Sequence, residues 1–89
     1  MNNLVISYDL HQPGQDYKAI EEAIESLGDA VKIHLSVYCV HTKKSAKEAM
    51  RLIHPFMDGN DTLLVVDATN NKWAGWLEQR KHDALHRFW

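Results

Sequence analysis

Hydrophobic positions recur with two different periods along this chain, and the changes of period divide it into segments. Residues 3 to 8 (NLVISY) are apolar, β-branched and uncharged, and the run is short enough for a buried strand. Asp9 ends it, and His11-Gln12-Pro13-Gly14 predicts a turn because Pro and Gly interrupt regular structure. Tyr17, Ile20, Ile24 and Leu27 follow at spacings of three, four and three, which is one face of a helix. Lys18 and Glu22 form a four-apart pair on the opposite side. Gly28 stands where a helix C′ residue belongs.

Residues 30 to 42 return to a period of two, with Val31, Ile33 and Leu35 alternating with Lys32 and His34. Val37 and Cys39 then alternate with Tyr38 and Val40. Thirteen residues exceed an ordinary strand, so a bend near Leu35 and Ser36 is expected, giving two consecutive strands. Ser45-Ala46-Lys47-Glu48 has the capping-box pattern. Ala46, Ala49, Met50, Ile53, Phe56 and Met57 line a second helix, which Pro55 should kink or end near His54. Asp58-Gly59-Asn60-Asp61 predicts a turn and residues 62 to 68 (TLLVVDA) a last strand. Residues 76 to 89 lack Gly and Pro and are rich in helix formers, which predicts a third helix.

The order strand, helix, strand pair, helix, strand predicts an α+β fold, specifically a ferredoxin-like βαββαβ sandwich over residues 1–70 with an additional C-terminal helix. Both inner helices would cover one sheet face. The other face needs a cover, from residues 71–89 or from another chain. This extension is aromatic and basic, and it is expected to pack on the same domain or on a dimer mate. Trp73, Trp76, Leu77, Leu85, Phe88 and Trp89 concentrate area that a small domain does not leave in water. With 89 residues the chain makes one domain, which buries about 60–65% of its unfolded surface. The single cysteine, Cys39, forms no intrachain disulfide, so support falls to packing, a metal or a partner. The bare face and the Trp-rich tail both point to a homodimer.

Composition narrows the class. Hydrophobic residues are 45% and charged residues 25%, an ordinary globular balance. No apolar run reaches membrane-spanning length, and the first residues lack the basic region of a signal peptide, so a cytoplasmic protein without membrane contact is expected. The net charge of −2 counts against bulk nucleic-acid binding, but it is unevenly spread. Residues 1–30 set Lys18 against six acids, whereas residues 31–57 set five bases against Glu48. Lys43, Lys44, Lys47 and Arg51 are therefore the candidate nucleic-acid contacts, with a solvated helix face as the plain alternative.

Candidate chemistry centres on Asp9. A carboxylate at a strand end beside a turn is open to a hard cation; magnesium takes six oxygens, often through one or two carboxylates and several waters. One Asp per chain holds such an ion poorly, and a two-fold dimer would supply the second. Alternatively, Asp9 caps the turn through a backbone amide. His11, two residues on, is the candidate general base. Asp67 offers a second acid near Asp9 or an edge-strand charge. His82 and His86 have the four-residue spacing of a zinc pair, which also suits two surface histidines. His34 should face away from Ile33 and Leu35, toward a dimer contact. Cys39 reads as a buried, inert thiol. No phosphate-binding loop, dinucleotide fingerprint or hydrolase elbow is present.

Val5 to Leu10 (VISYDL), Ser36-Val37-Tyr38 on a middle strand and Asp61-Thr62-Leu63-Leu64-Val65 on the last strand resemble the small CRISPR-associated Cas-two family and the related virulence-associated protein D family. Within this group the chain is similar to short bacterial and phage members with a YDL…PGQDY opening. The resemblance covers residues 3–68. It implies a ferredoxin-like homodimer with facing sheets and metal-dependent cleavage of RNA or DNA. It places the metal, magnesium or manganese, on Asp9 and sets Ser36 near the same cleft. The acidic residues Glu21, Glu22 and Glu25 and the PGQDY turn depart from the family's basic start to the first helix. The same features also fit a non-catalytic dimeric interaction module, in which Asp9 is structural and the tail meets a partner.

Overall fold

The strand β1 (Asn2–Asp9) carries Leu4, Ile6 and Tyr8 on one side of its pleat and Asn3, Val5 and Ser7 on the other. A computed structural model describes residues 1–11 and 17–89. In it, β1 lies between two antiparallel neighbours. In chain order the other strands are β2 (Gly28–His34), β3 (Val37–Thr42) and β4 (Thr62–Asp67), and the sheet order is β2-β3-β1-β4. Helix α1 (Tyr17–Glu25) separates β1 from β2, and α2 (Ala46–Ile53) separates β3 from β4. A last helix, α3 (Gln79–His86), follows the sheet. The protein is an α+β fold of a four-stranded antiparallel sheet and three helices.

The helix-covered face holds the main core. Leu4 and Ile6 of β1, Tyr38 and Val40 of β3, Ile20 and Ile24 of α1, and Ala49 and Ile53 of α2 are buried together. The period-two and period-3.6 patterns meet here, since each element contributes the stripe its spacing predicts. Full burial of one such aliphatic side chain contributes about 1.5–3 kcal/mol. The expected capping box is present: Ser45 Oγ accepts from the Glu48 amide at 3.1 Å, and Glu48 Oε1 accepts from the Ser45 amide at 3.1 Å. After Ile53 the chain tightens into a single 3₁₀ turn, His54–Phe56, where Pro55 withholds the donor a longer helix needs.

Three boundaries differ from the sequence expectations. Gly28 is the first residue of β2 and not a helix cap. A Cβ there would collide with the His41 carbonyl oxygen of β3, so the close approach of the two strands requires glycine. The β2–β3 turn falls at Leu35 and Ser36 as expected, but a register shift between Lys32 and His34 pairs His34 with Val37 and so places it on the same face as Ile33, not on the opposite one. The third helix spans only Gln79–His86, shorter than the expected 76–89. The residues before it run without helix, because Trp73 and Leu77 lie against the sheet and their burial outweighs local propensity. Residues 12–14 of the expected first turn lie outside the described residues.

The second sheet face carries a smaller cluster. Val5, Val31, Ile33, Val37 and Cys39 meet Trp73, Leu77, Leu85, Phe88 and Trp89 from the C-terminal stretch. Asn70, at φ 65°, turns the chain in the left-handed region that Asn tolerates. Lys81 Nζ donates to the Ile33 carbonyl at 3.0 Å, and Trp89 Nε1 donates to the Asn71 carbonyl at 2.9 Å. The His41 ring stacks on Phe88 with centroids 5.3 Å apart. The stretch therefore covers the β2, β3 and part of the β1 side of its own sheet, the same-domain alternative of the two covers expected for this face. Leu64 and Val66 of the edge strand β4 stay open on the same face, 63% and 45% exposed. No helix among the described residues is long and apolar enough to cross a membrane.

Candidate functional site

Sheet register decides which candidate residues meet. The Tyr8 amide donates to the Ser36 carbonyl at 3.1 Å, and the Tyr8 hydroxyl donates to the Leu35 carbonyl at 3.2 Å. The β2–β3 turn is thereby tied to the end of β1, where Asp9 pairs with Thr62 of β4. Ser36 and Asp9 therefore stand at the same end of the sheet. His11 joins them: its Nε2 lies 3.4 Å from Asp9 Oδ2, with both side chains about half or more exposed. Asp9, His11 and Ser36 are thus gathered from segments more than twenty residues apart.

Asp61, read in the sequence as a turn residue and as the start of the last-strand motif, organises this end. Asp61 Oδ1 accepts the His11 amide at 3.0 Å, and Asp61 Oδ2 accepts the Asp58 amide at 2.7 Å. One carboxylate closes the loop before β4 and holds the chain leaving β1. The signal was in the sequence, since Asp in a turn commonly takes a nearby backbone amide. The His11 contact, fifty residues away, was not.

The Asp9–His11 pair is chemically simple. At 3.4 Å between two exposed side chains, the contact is longer than an ordinary N–H···O hydrogen bond. For a metal, the fit within one chain is incomplete. Asp9 offers one carboxylate, while both Asp61 oxygens already accept amides. Among the described residues no group of three or more His, Cys, Asp or Glu is placed to hold an ion.

Asp67 is not the neighbouring acid that adjacent strands allowed. β1 and β4 are antiparallel, and Asp67 pairs with Leu4, five residues from Asp9. Its carboxylate accepts the Thr69 amide at 3.0 Å and the Thr69 hydroxyl, and these bonds hold it below the usual carboxylate range. Lys43 and Lys44 also lie at that far end. Thr42, just before Lys43 and Lys44, pairs with Asn2. From Asn2 to Asp9 the strand spans about 23 Å at ~3.3 Å per residue. Lys47 and Arg51 are exposed on α2. The Ser45 backbone and hydroxyl hold the Glu48 carboxyl below its usual range, with Lys44 and Arg51 adding smaller favourable effects. The fold does not bring these four bases to Asp9.

The remaining histidines sit elsewhere. His82 and His86 of α3 have ring centroids 4.7 Å apart, and both flank Trp73 at 5.1 and 5.0 Å. His41 Nδ1 lies 2.6 Å from Asn3 Oδ1. Cys39 is buried, and loss of solvation pushes its thiol up to about 11, so the nucleophilic thiolate is scarce at neutral pH. Compared with family models, curated proteins and solved structures, the chain matches none.

Proposed function

We propose that this chain is a Cas-two-like, ferredoxin-like homodimeric interaction module of the cytoplasm. The fold assignment is supported by the sheet order β2-β3-β1-β4, by antiparallel pairing throughout, and by a helix between each strand and the one two places away in the sheet. The observation that carries the interaction reading is β4. It is an edge strand whose outward Leu64 and Val66 are 63% and 45% exposed beside a face already half covered by the chain's own tail. Edge strands usually hide such positions with charge, Pro or a bulge. A second copy of β4, laid on this open half, buries all four apolar side chains about a two-fold axis, the self-complementary arrangement of an isologous dimer.

The test is sedimentation equilibrium of the wild type beside Leu64→Asp/Val66→Asp. The wild type sediments as a dimer at micromolar concentration, and the double variant as a folded monomer. A monomeric wild type, or a variant that dimerises equally well, refutes the reading.

A specific placement favours a second reading, a metal-dependent nuclease. Asp9 pairs with Thr62, and Ser7 pairs with Leu64, so Asp9 belongs to the same face as the open apolar strip. A two-fold axis on that face brings two Asp9 carboxylates together, which meets the two-carboxylate pattern for magnesium or manganese. His11 would serve as base and Ser36 would line the cleft. Lys43, Lys44, Lys47 and Arg51 would meet RNA or DNA phosphates farther along. Labelled RNA and duplex DNA, incubated with either metal beside Asp9→Ala, decide it: equal cleavage by both proteins excludes Asp9 chemistry.

A further inference from the structure

Between the C-terminal stretch and the sheet lies a cavity of about 410 Å³. Its sheet side is Val5, Val37 and Cys39; Trp73, Leu77 and Trp89 close much of the rest. The size falls in the ordinary range of small-ligand pockets, which are mostly apolar with a few placed polar groups. The charge of the lining is one-sided. Among the described residues, Lys72 and His34 border it, and no Asp or Glu does. The one remaining ionisable group, the Cys39 thiol, stays neutral because burial pushes it up to about 11. Trp76 also lines the cavity while its side chain is fully exposed, so a large apolar surface stands unused at the rim. A small domain does not ordinarily leave a tryptophan in water.

We propose that this cavity binds a small apolar carboxylate, with the hydrocarbon part against Val5, Val37 and Cys39 and the carboxylate at Lys72. An apolar chain alone would fit the walls, but the ammonium without a neighbouring acid selects an anion, since a cation placed there meets only like charge. Trp76 lies over the bound hydrocarbon and loses its exposure. The site adjoins the open strip on β4, since Val5 pairs with Val66, but its lining includes none of Asp9, His11, Ser36, Leu64 and Val66.

Octanoate and octylammonium are the probes, equal in chain and opposite in charge, each kept below its micellar concentration. Two readouts follow binding: tryptophan emission, and the rate at which N-ethylmaleimide alkylates Cys39. Octanoate shifts the emission saturably, slows alkylation, and binds about tenfold more tightly than octylammonium, the size of one good charge contact. Lys72→Glu, a substitution at an exposed position, removes that preference, and Lys72→Arg retains it. Equal affinity for the two probes overturns the proposal, as does an octanoate signal that Lys72→Glu leaves unchanged or an unaltered alkylation rate. If Trp76→Ser converts a dimer to a monomer that octanoate does not compete with, the cavity is filled by the second copy's tryptophan and the carboxylate site is refuted.

Discussion

The two faces of the sheet are covered by different means, and the difference separates stability from function. On the helix face the contacts are aliphatic and complete: Leu4, Ile6, Ile20, Ile24, Val40, Ala49 and Ile53 are fully inaccessible. On the other face the cover is a single stretch from the same chain, rich in aromatic rings and histidines, and only Ile33, Cys39 and Leu85 are buried in its cluster. Close-packed aliphatic interiors tolerate little change of volume. A half-buried aromatic cover, held at its margins by Lys81 and Trp89 hydrogen bonds, opens at lower free energy. The first face fixes the fold, while the second carries the cavity, the open strip and Asp9.

The largest expected effect breaks the first face. Ile6→Ala removes three carbons from a site with no exposure and should cost about 2–5 kcal/mol. Leu85→Ala, the matching change on the second face, should cost about 2 kcal/mol, the low end of that range, because the loose aromatic neighbours collapse toward the gap. Urea unfolding measures both. Native-state hydrogen exchange sharpens the contrast: α3 amides exchange through local opening, and β1 and β3 amides only through global unfolding. Equal costs and uniform protection would show that the two faces are one cooperative unit.

Much of the first face was legible in the sequence. The short apolar run in residues 3–8, the stripe from Tyr17 to Leu27 and the Ser45–Glu48 box each express a local rule, and local rules survive into the structure. The second face was less legible because its residues are assembled by topology. Nothing local says that residues 76 to 78 run without helix. The burial of Trp73 and Leu77 on a sheet formed by distant strands decides that. The candidate site divides in the same way. Asp9 and His11 are neighbours in sequence. Ser36 reaches them only because β3 pairs with β1, and Asp67, Lys43 and Lys44 are carried to the other end by antiparallel pairing. Gly28 was misread as a helix cap because its true constraint, the His41 carbonyl, is thirteen residues away.

Alkaline pH probes both faces through buried groups. Burial raises the Cys39 thiol from 9.0 to about 11 and the Tyr8 phenol from 10.0 to about 12, and it raises Tyr38 further, with Glu21 adding to the effect. For each, the folded protein favours the protonated form. The stability this gives is full below the unfolded value and is lost as pH climbs toward the folded one. Thermal midpoints should therefore be flat through neutral pH and begin to fall above pH ~9, where the thiol of the unfolded chain ionises. Cys39→Val, which keeps the packing and removes the titration, should flatten the portion between about pH 9 and 10 and leave the tyrosine portion, which starts near pH 10. A wild-type curve that stays flat to pH 11 would mean that the thiol is solvated in the folded protein.

The smallest expected effect concerns how each face anchors its helix. α2 starts with a reciprocal capping box, whereas α3 starts at Glu78 with no side-chain cap. Ser45→Ala should cost about 1 kcal/mol, since the amide of Glu48 loses its acceptor. The Glu48 carboxyl sits below its usual range because of the same box, so its contribution is full above about pH 4.5 and fades as pH falls through the lower folded value. Ser45→Ala should lessen that acidic dependence without erasing it, because the backbone amide at position 45, the larger cause, still donates to the Glu48 carboxylate. At the other helix the opposite change is informative. Glu78 contributes only exposed ion pairs with Arg80 and Lys81, which are worth little. Its backbone is already extended at ψ 143°, the geometry a capping residue needs. Glu78→Ser places a hydroxyl where the first-turn amides lack an acceptor and should raise stability by about 0.5 kcal/mol. If the two helices respond with the same sign and size, capping is not what distinguishes them. If Glu78→Ser also slows α3 hydrogen exchange without affecting β1, the weak start of α3 is the reason the second face opens first.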